Sequence, residues 1–222
     1  MGTGGRMTTI MDTPMTDHQH HLLLTLFSPA FPVGSFAYSH GLERAVATGE
    51  VEDAADLEAW LRDILRFGAG RTDAILVALA HGGADVAELA ESLATSRERH
   101  LETMAQGRAF AQAASQALGV SANPAAYPVV VGRVTADLGL PLAPVLSAYL
   151  HAFTANIVSA GVRFVPLGQA AGQRVLAALF KDMDAVAQEA ETAGPDDIGS
   201  ISVLSDIAAI EHETMDVRIF RT

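Results

Sequence analysis

The chain has 222 residues, of which 50% are hydrophobic and none is cysteine. This length allows a sizeable core held by packing alone, and the lack of cysteine excludes disulfide bonds and thiolate metal sites. The 26 acidic residues outnumber the 14 lysines and arginines, which gives a formal charge of −12. Because nucleic-acid binding needs clustered basic side chains, this balance argues against a nucleic-acid partner.

Two segments bear on the compartment of the protein. Residues 1–16 are polar, contain several methionines and lack the apolar run of a secretory signal. We expect a disordered leader over residues 1–16 and one all-α domain over residues 17–222. The longest uncharged stretch, 138–162, has the length of a membrane span, but its two prolines, His151 and Asn156 favour a buried helix of a soluble bundle. The sequence therefore predicts a cytoplasmic protein with no membrane segment.

The hydrophobic pattern is helical along almost the whole chain. Apolar residues recur at spacings of three and four, whereas strict alternation over five or more residues is rare. The sequence therefore predicts an all-α fold, a single-domain bundle of roughly eight to ten helices. In chain order the predicted helices are 16–27, 36–48, a helix capped by Asp53, 72–81, 85–94, 97–118 with Ser96 as its cap, 127–138, 141–164 and a helix that follows Pro166. In the helix capped by Asp53, the predicted inward stripe consists of Leu57, Trp60, Leu61, Ile64 and Leu65.

The segment between the first two helices is the most informative part of the chain. It reads SPAFPVGSFAYSHGLE over residues 28–43, which we call the hinge. Pro29 and Pro32 fix φ and remove amide donors, and Gly34 allows a tight turn. We expect Ser35 to accept hydrogen bonds from the first amides of the next helix. The hinge is therefore predicted to bend the chain and to start a new helix at once.

Polar side chains of interest follow the bend. Tyr38, His40, Glu43 and Arg44 are expected within two turns of the new helix, with apolar residues between them. Glu43, three residues after His40, could accept its proton or attract a cation. His40 and His151 are both flanked by apolar helix positions, where a histidine must find a hydrogen-bond partner or face an interface.

The long predicted helix 97–118 begins with charges of both signs. A mixed set of this kind usually marks a solvated helix face. Gly107 lies in the middle of the helix, where glycine costs about 1 kcal/mol relative to alanine, so we expect close helix packing at this point. The charged residues that we expect to be solvated are Arg97, Glu98, Arg99, Glu102 and Arg108.

Common catalytic and metal-binding frames are missing from the sequence. No serine lies in a Gly-x-Ser-x-Gly frame, and there is no Gly-x-x-x-x-Gly-Lys-Ser/Thr loop for nucleotide phosphates. His18, His20 and His21 form a tract near the N-terminus that we expect to be solvated rather than to hold a metal ion. His212-Glu213 lacks the second histidine of a zinc hydrolase motif. We therefore predict no catalytic residue, no metal site and no cofactor.

Two alternatives of other classes stay open. One is a regulatory module that only oligomerises, and the other is an enzyme. A metal-dependent or cofactor-dependent helical enzyme could use His40, Glu43 and His151 if these side chains met in the core of the bundle. Tight, stoichiometric binding of nickel or zinc by the folded chain would favour that alternative.

Four stretches of the chain carry a family resemblance. They are the hinge, the region 97–118, where the match is less specific, the central runs YPVVVGRVTADLGLPL from Tyr127 and SAYLHAFTANIVSAGVRFVPLGQAAGQRVL from Ser147, and SDIAAIEHETMDVRIFRT near the C-terminus. On these motifs the chain resembles the UreF family, urease accessory protein F, over nearly all of its length from Leu22. Two residues depart from the family pattern, because Glu211 stands where a basic residue is usual and Asp216 where an aromatic one is expected.

The resemblance implies a function as well as a fold. It implies a non-enzymatic chaperone subunit for nickel insertion into apo-urease, and hence an association with nickel cations. It also implies a homodimer that binds the accessory protein UreD, also called UreH, and recruits the GTPase UreG. Because the chain has no phosphate-binding loop of its own, GTP used in this pathway is expected to bind to UreG, with its hydrolysis coupled to nickel delivery.

The resemblance also implies where the partners bind. The hinge and the C-terminal tail, residues 212–221, are expected to form partner-facing surfaces on a helical platform. We expect these surfaces to position the partner proteins rather than to catalyse a reaction. The residues that we expect to serve in partner binding are Pro32, Gly34, Ser35, Tyr38, His40, Glu43, Gln169, His212, Glu213, Arg218, Phe220 and Arg221.

Overall fold

The structure, a computed structural model, describes residues 14–221. Within that range it contains helices and no β-strand, so the all-α prediction is confirmed. Nine helices have ten residues or more and two have six. The helices are α1 Asp17–Leu26, α2 Leu42–Ala47, α3 Ala54–Phe67, α4 Ala69–His81, α5 Ala87–Ser92, α6 Arg97–Leu118, α7 Tyr127–Asp137, α8 Leu142–Phe164, α9 Gln169–Ala178, α10 Phe180–Ala190 and α11 Val203–His212.

Local capping signals set the starts of several helices. Asp53 accepts hydrogen bonds from the amides of Ala55 and Asp56 at 2.7 and 3.0 Å, which satisfies amides that have no partner inside α3. Ser96 caps α6 in the same way, through the amide of Arg99 at 3.1 Å. Both caps were predicted. The predicted inward stripe of α3 is also confirmed, and its buried residues are Leu57, Trp60, Leu61, Ile64 and Leu65.

Small residues let the central helices approach closely. Gly132 of α7 faces α4, and a Cβ atom there would lie 2.5 Å from the carbonyl oxygen of Val77. Gly107 of α6 packs against the backbone just before α7, where a Cβ atom would overlap the carbonyl oxygen of Ala125. The predicted close packing at Gly107 is therefore confirmed, and it explains why a helix former is not used there.

Helix α8 is a core helix of the bundle. It is the one helix in residues 14–221 that is long and apolar enough to span a bilayer, judged by length and composition alone. Half of its most apolar 18-residue window is buried, and it packs against α2, α4, α9 and α10. Pro141 precedes its first turn. This packing is that of the buried bundle helix predicted for residues 138–162.

The hinge differs from its prediction. A single 3₁₀ turn, Ser35–Ala37, follows Gly34, whose φ is 75°. His40 and Gly41 then have φ values of 55° and 76°, which a right-handed helix does not accept, so α2 begins only after them. The helix predicted from residue 36 is wrong over its first six residues.

The capping role given to Ser35 is also wrong. The 3₁₀ turn and α2 both follow a glycine that offers no side-chain cap. Ser39 accepts from the amide of Glu43 at 3.3 Å instead, inside α2. Tyr38 and His40 therefore lie in the irregular segment before α2 rather than on a helix.

The structure does not test the predicted leader over residues 1–16. Residues 1–13 lie outside the described residues, so the disordered leader and the domain division at residue 17 stay predictions. Thr16 caps α1, because its side chain accepts from the amide of Gln19 at 3.2 Å while the Gln19 side chain accepts from the amide of Thr16 at 2.9 Å.

Candidate functional site

The first half of α6 is a buried polar surface. Glu102 is 2% exposed and Gln106 is 6% exposed, and the side chains of Glu98 and Arg99 are also largely buried. The predicted solvated face is therefore wrong for Glu98, Arg99 and Glu102, whereas other charged residues of the helix, such as Arg108, are exposed. The hinge and the C-terminal tail cover this face and supply partners for its charges.

One polar cluster forms around His40. Its Nε2 atom lies 3.1 Å from a carboxylate oxygen of Glu102 and 3.2 Å from the guanidinium of Arg99. Arg99 also pairs with Glu102, and Gln106 donates to the same carboxylate at 2.9 Å. The ring of His40 meets Phe153 edge-on at 4.9 Å, and its Nδ1 atom has no hydrogen-bond partner in the part of the chain that the structure describes.

Burial and charge shift the titration of this cluster. Burial opposes ionisation of Glu102, but the charges of Arg99 and His40 outweigh it and lower the pKa of Glu102 to about 2. Close by, the hydroxyl of Tyr149 donates to Asp73 at 2.8 Å. Burial raises the pKa of Asp73, although Arg99 opposes that rise. Burial, followed by the charge of Asp73, raises the pKa of Tyr149 well above its ordinary value.

A second polar cluster forms around His212 at the end of α11. Its ring is fully buried and lies between two carboxylates. Nε2 is 3.2 Å from Glu43 and Nδ1 is 2.7 Å from Glu98. Arg218 donates to the other oxygen of Glu98. The sequence suggested that Glu43 could accept a proton from His40. Instead, the carboxylate of Glu43 is turned toward the tail and contacts His212.

The same glutamate holds the backbone of the tail. The amides of Ile219 and Phe220 donate to the two oxygens of Glu43 at 2.8 and 2.9 Å. The next amide, of Arg221, donates to the carbonyl oxygen of Ala37 in the hinge at 2.8 Å. Three consecutive tail amides are therefore bound by the hinge, which joins the two segments that the sequence singled out separately.

Side-chain packing secures the tail further. The ring of Phe220 is buried, and its centre lies 5.0 Å from the centre of the Phe164 ring. The guanidinium of Arg163 lies over the Phe220 ring, 5.1 Å from the ring centre. Glu213 accepts from the amide of Glu98 at 3.2 Å and so helps to cap α6. The tail thus follows a fixed path across α6, α2 and α8.

Several other predicted partner-binding residues line a groove beside the hinge. It has a volume of about 590 Å³. Its lining includes Pro32, Gly34, Ser35, His40 and Gln169, the last of which is the exposed first residue of α9. Asn156 of α8 fixes this part of the hinge by donating to the carbonyl oxygen of Ser35 at 2.8 Å.

The predicted partner-binding residues divide into three classes by exposure. Those with little accessible surface support the site from inside, and they are Tyr38, His40, Glu43, His212 and Phe220. Pro32, Gln169, Arg218 and Arg221 are exposed, whereas Gly34, Ser35 and Glu213 are partly buried. The exposed residues are therefore the first candidates for a direct contact with another protein.

Two of the three residues of the alternative enzyme, His40 and His151, line the same groove, but Glu43 is not among its lining residues. His151 is exposed on α8, with its ring 6.2 Å from Phe180. His40 is paired with Glu102, and Glu43 is paired with His212. Residues 14–221 contain no group of three or more His, Cys, Asp or Glu side chains arranged to hold a metal ion.

Exposed apolar side chains form a feature that the sequence did not reveal. They lie on α11 and its flanks, and they are Ile201, Val203, Leu204, Ile207, Ile210, Val217 and Ile219. The buried charges of α6 were missed as well. A signal for them existed, because Glu102 and Gln106 share three-and-four spacing with the buried residues Phe110 and Ala113.

Comparisons with known proteins agree on one family. A family model described as UreF matches residues 51–180. The chain is similar to the protein named urease accessory protein UreF of Cereibacter sphaeroides KD131, with 53% identity over 90% of this chain and 97% of that relative. It is 47% identical to the protein of that name from Bradyrhizobium sp. BTAi1, over 94% and 95% of the two chains. It is 44% identical to the protein of the same name from Rhodopseudomonas palustris BisB5, over the full length of both chains.

Proposed function

Since the chain belongs to the UreF family of urease accessory proteins, we propose that it is a non-enzymatic platform for nickel insertion into apo-urease. In this proposal it holds UreD/UreH and the GTPase UreG on apo-urease. Its relatives are named as accessory proteins, which agrees with a role in assembly rather than in catalysis. The buried position of its charged clusters supports the same choice, because their side chains are occupied with one another.

The observation that carries the proposal is the exposed apolar surface around the docked tail. Val217 is 77% exposed and Ile219 is 75% exposed, although the backbone of Ile219 is fixed by Glu43. Exposed apolar groups on an ordered backbone lose little conformational entropy on binding, which favours a protein interface. Ile207 and Ile210 of α11 are exposed as well, and Arg218 and Arg221 are exposed polar residues of the tail.

We assign this surface to UreD/UreH. An apolar surface with charged neighbours suits a lasting subunit contact, whereas a GTPase that must bind and leave with its nucleotide state suits a weaker one. A homodimer, a cytoplasmic location and contact with nickel cations belong to the same proposal. The packing of α8 inside the bundle supports a protein that works without a membrane segment.

Co-purification with UreD/UreH tests the assignment. The double variant Val217→Ser and Ile219→Ser removes exposed apolar surface and leaves the backbone contacts of the tail in place. We expect it to fold normally by circular dichroism and to lose at least tenfold in affinity. The matched control is Leu24→Ser with Leu101→Ser, which removes exposed apolar groups from α1 and α6. Equal binding by the two double variants would overturn the assignment.

The coupling to GTP hydrolysis needs a separate test. A platform can bias a nucleotide cycle only if it binds the two nucleotide states of the GTPase with different affinities. We expect UreG loaded with a GTP analogue and UreG loaded with GDP to bind the complex of this chain and UreD/UreH unequally. Equal affinities in a calorimetric titration would reject coupling and leave the scaffold role intact.

A further inference from the structure

The hydrogen bonds of His212 require one more proton than a neutral histidine carries. Both ring nitrogens lie within hydrogen-bond distance of a glutamate oxygen, at 3.2 and 2.7 Å. A neutral imidazole has one N–H donor and one acceptor, while an ionised carboxylate only accepts. The two contacts are satisfied together only if the ring carries both protons or if one glutamate is protonated. Either way, the closed cluster binds one extra proton.

The charges around the ring lead to the same conclusion. Glu43 of α2 and Glu98 of α6 bring two negative charges, and Arg218 of the tail brings one positive charge. A bound proton supplies the second positive charge and balances the cluster. Without it, a buried site keeps a net negative charge, which is costly away from water.

Other charged groups at the edge of the cluster do not replace that proton. Glu213 follows the histidine in the chain and accepts from the backbone amide of Glu98. Arg44 of α2 forms its ion pair with Glu211, at 2.9 Å, on the outer side of α11. The remaining groups that face Glu43 are the amides of Ile219 and Phe220, which carry no charge.

We propose that His212 is a proton-dependent clasp that holds the C-terminal tail on the hinge. Docking of the tail takes up a proton, because the closed cluster binds one that the open tail does not need. By linkage, a rise in pH then opens the tail, and a fall in pH closes it. The clasp itself is a property of this chain. Its effect on the binding of UreD/UreH rests on the proposed function, since the same tail carries Val217 and Ile219.

Nitrogen NMR of the intact chain labelled in its histidines tests the clasp directly. The ring signals of His212 are expected to show both nitrogens protonated, or one neutral tautomer beside a protonated glutamate, while the amides of Ile219 and Phe220 are protected from exchange. After correction for intrinsic exchange rates, their protection should fall as the pH rises, by up to tenfold per pH unit. A neutral ring beside two ionised glutamates, or protection that does not change with pH, would overturn the proposal.

The variant Glu98→Gln separates a proton-dependent clasp from a merely structural contact. The amide oxygen of the glutamine can accept from Arg218, while its nitrogen can donate to Nδ1 of a neutral His212. The tail should then stay protected across the whole pH range, with the pH dependence lost. The control is His100→Gln, which removes an exposed histidine–glutamate pair and should leave the pH dependence unchanged. Persisting pH dependence in Glu98→Gln would contradict the clasp.

Binding of UreD/UreH distinguishes this proposal from the proposed function. If the clasp operates and the tail is the docking surface, the affinity for UreD/UreH falls as the pH rises in the wild-type chain and stays constant in Glu98→Gln. If the protection of the tail amides falls as the pH rises while the affinity for UreD/UreH stays constant, the clasp is supported and the assignment of the surface is rejected. Loss of affinity in the Val217 and Ile219 variant, with tail protection independent of pH, would keep the assignment and reject the clasp.

Discussion

His40 and His212 are both buried, and both lie beside a glutamate of α6, yet the hydrogen-bond partners of the two rings differ. His40 shares Glu102 with Arg99, which carries a permanent positive charge, and its Nδ1 atom has no partner among residues 14–221. His212 has a carboxylate at each nitrogen. One cluster therefore fixes the hinge through a permanent arginine charge, and the other fixes the tail through a proton that can leave.

The largest expected effect comes from removing the permanent charge pair at His40. Glu102→Gln leaves the guanidinium of Arg99 buried without its counter-charge, which typically costs about 3–5 kcal/mol. We expect a loss of this size in the free energy of unfolding, measured by urea denaturation. Glu91→Gln is the control, because Glu91 forms an exposed pair with His100 and should cost less than about 1 kcal/mol. Equal losses would show that the buried pair contributes no more than a surface pair.

Acid should weaken the same cluster at a defined pH. The folded pKa of Glu102 is about 2, below its ordinary value of 4.5. A group whose pKa is lowered on folding stabilises the protein above its unfolded pKa, and this stability is lost as the pH falls from about 4.5 to about 2. The contribution is of the order of 3 kcal/mol. In Glu102→Gln the loss of stability over this interval should be smaller, and parallel curves for both proteins would contradict the assignment.

A smaller effect is expected from the acceptor of the tail amides. Glu43→Gln replaces two charged acceptor positions by one amide oxygen and one amide nitrogen, so the amides of Ile219 and Phe220 can no longer both be satisfied. A loss of about 1–3 kcal/mol in the docking of the tail is expected. Hydrogen exchange should become fast at these amides and stay slow in α4 and α7. Rapid exchange throughout the bundle would instead make Glu43 a residue of the core.

The smallest effect is expected at a position that departs from the family pattern. Glu211 forms a half-exposed ion pair with Arg44 at 2.9 Å, outside the cluster of His212. Glu211→Gln should therefore change the free energy of unfolding by less than about 1 kcal/mol and leave the tail protected. A larger loss, measured by urea denaturation, would show that this residue belongs to the clasp.

Elements with local signals could be predicted from the sequence. The caps Asp53 and Ser96, and the apolar stripe of α3, lie where the sequence placed them because a capping side chain acts on amides two or three residues away. The start of α2 could not be predicted in this way. The positive φ of His40 is stabilised by Glu102, which lies far along the chain, and no local pattern encodes that contact.

The candidate site was predictable in its segments and not in its contacts. The hinge and the tail were both singled out, and the structure joins them through Glu43. The polar face of α6 that completes the site looked solvated, since a mixed set of charges on one helix gives no sign of what covers it. Only the path of the tail over α6 shows that Glu98 is covered.

Hydrogen exchange of the intact chain, alone and with UreD/UreH, tests the central claim most directly. That claim is that the docked tail and α11 form the surface that binds this partner. We expect added protection in residues 201–221 and in the hinge, with little change in α3, α9 and α10. Protection confined to α3, α9 and α10, with the exchange of residues 201–221 unchanged, would contradict the claim.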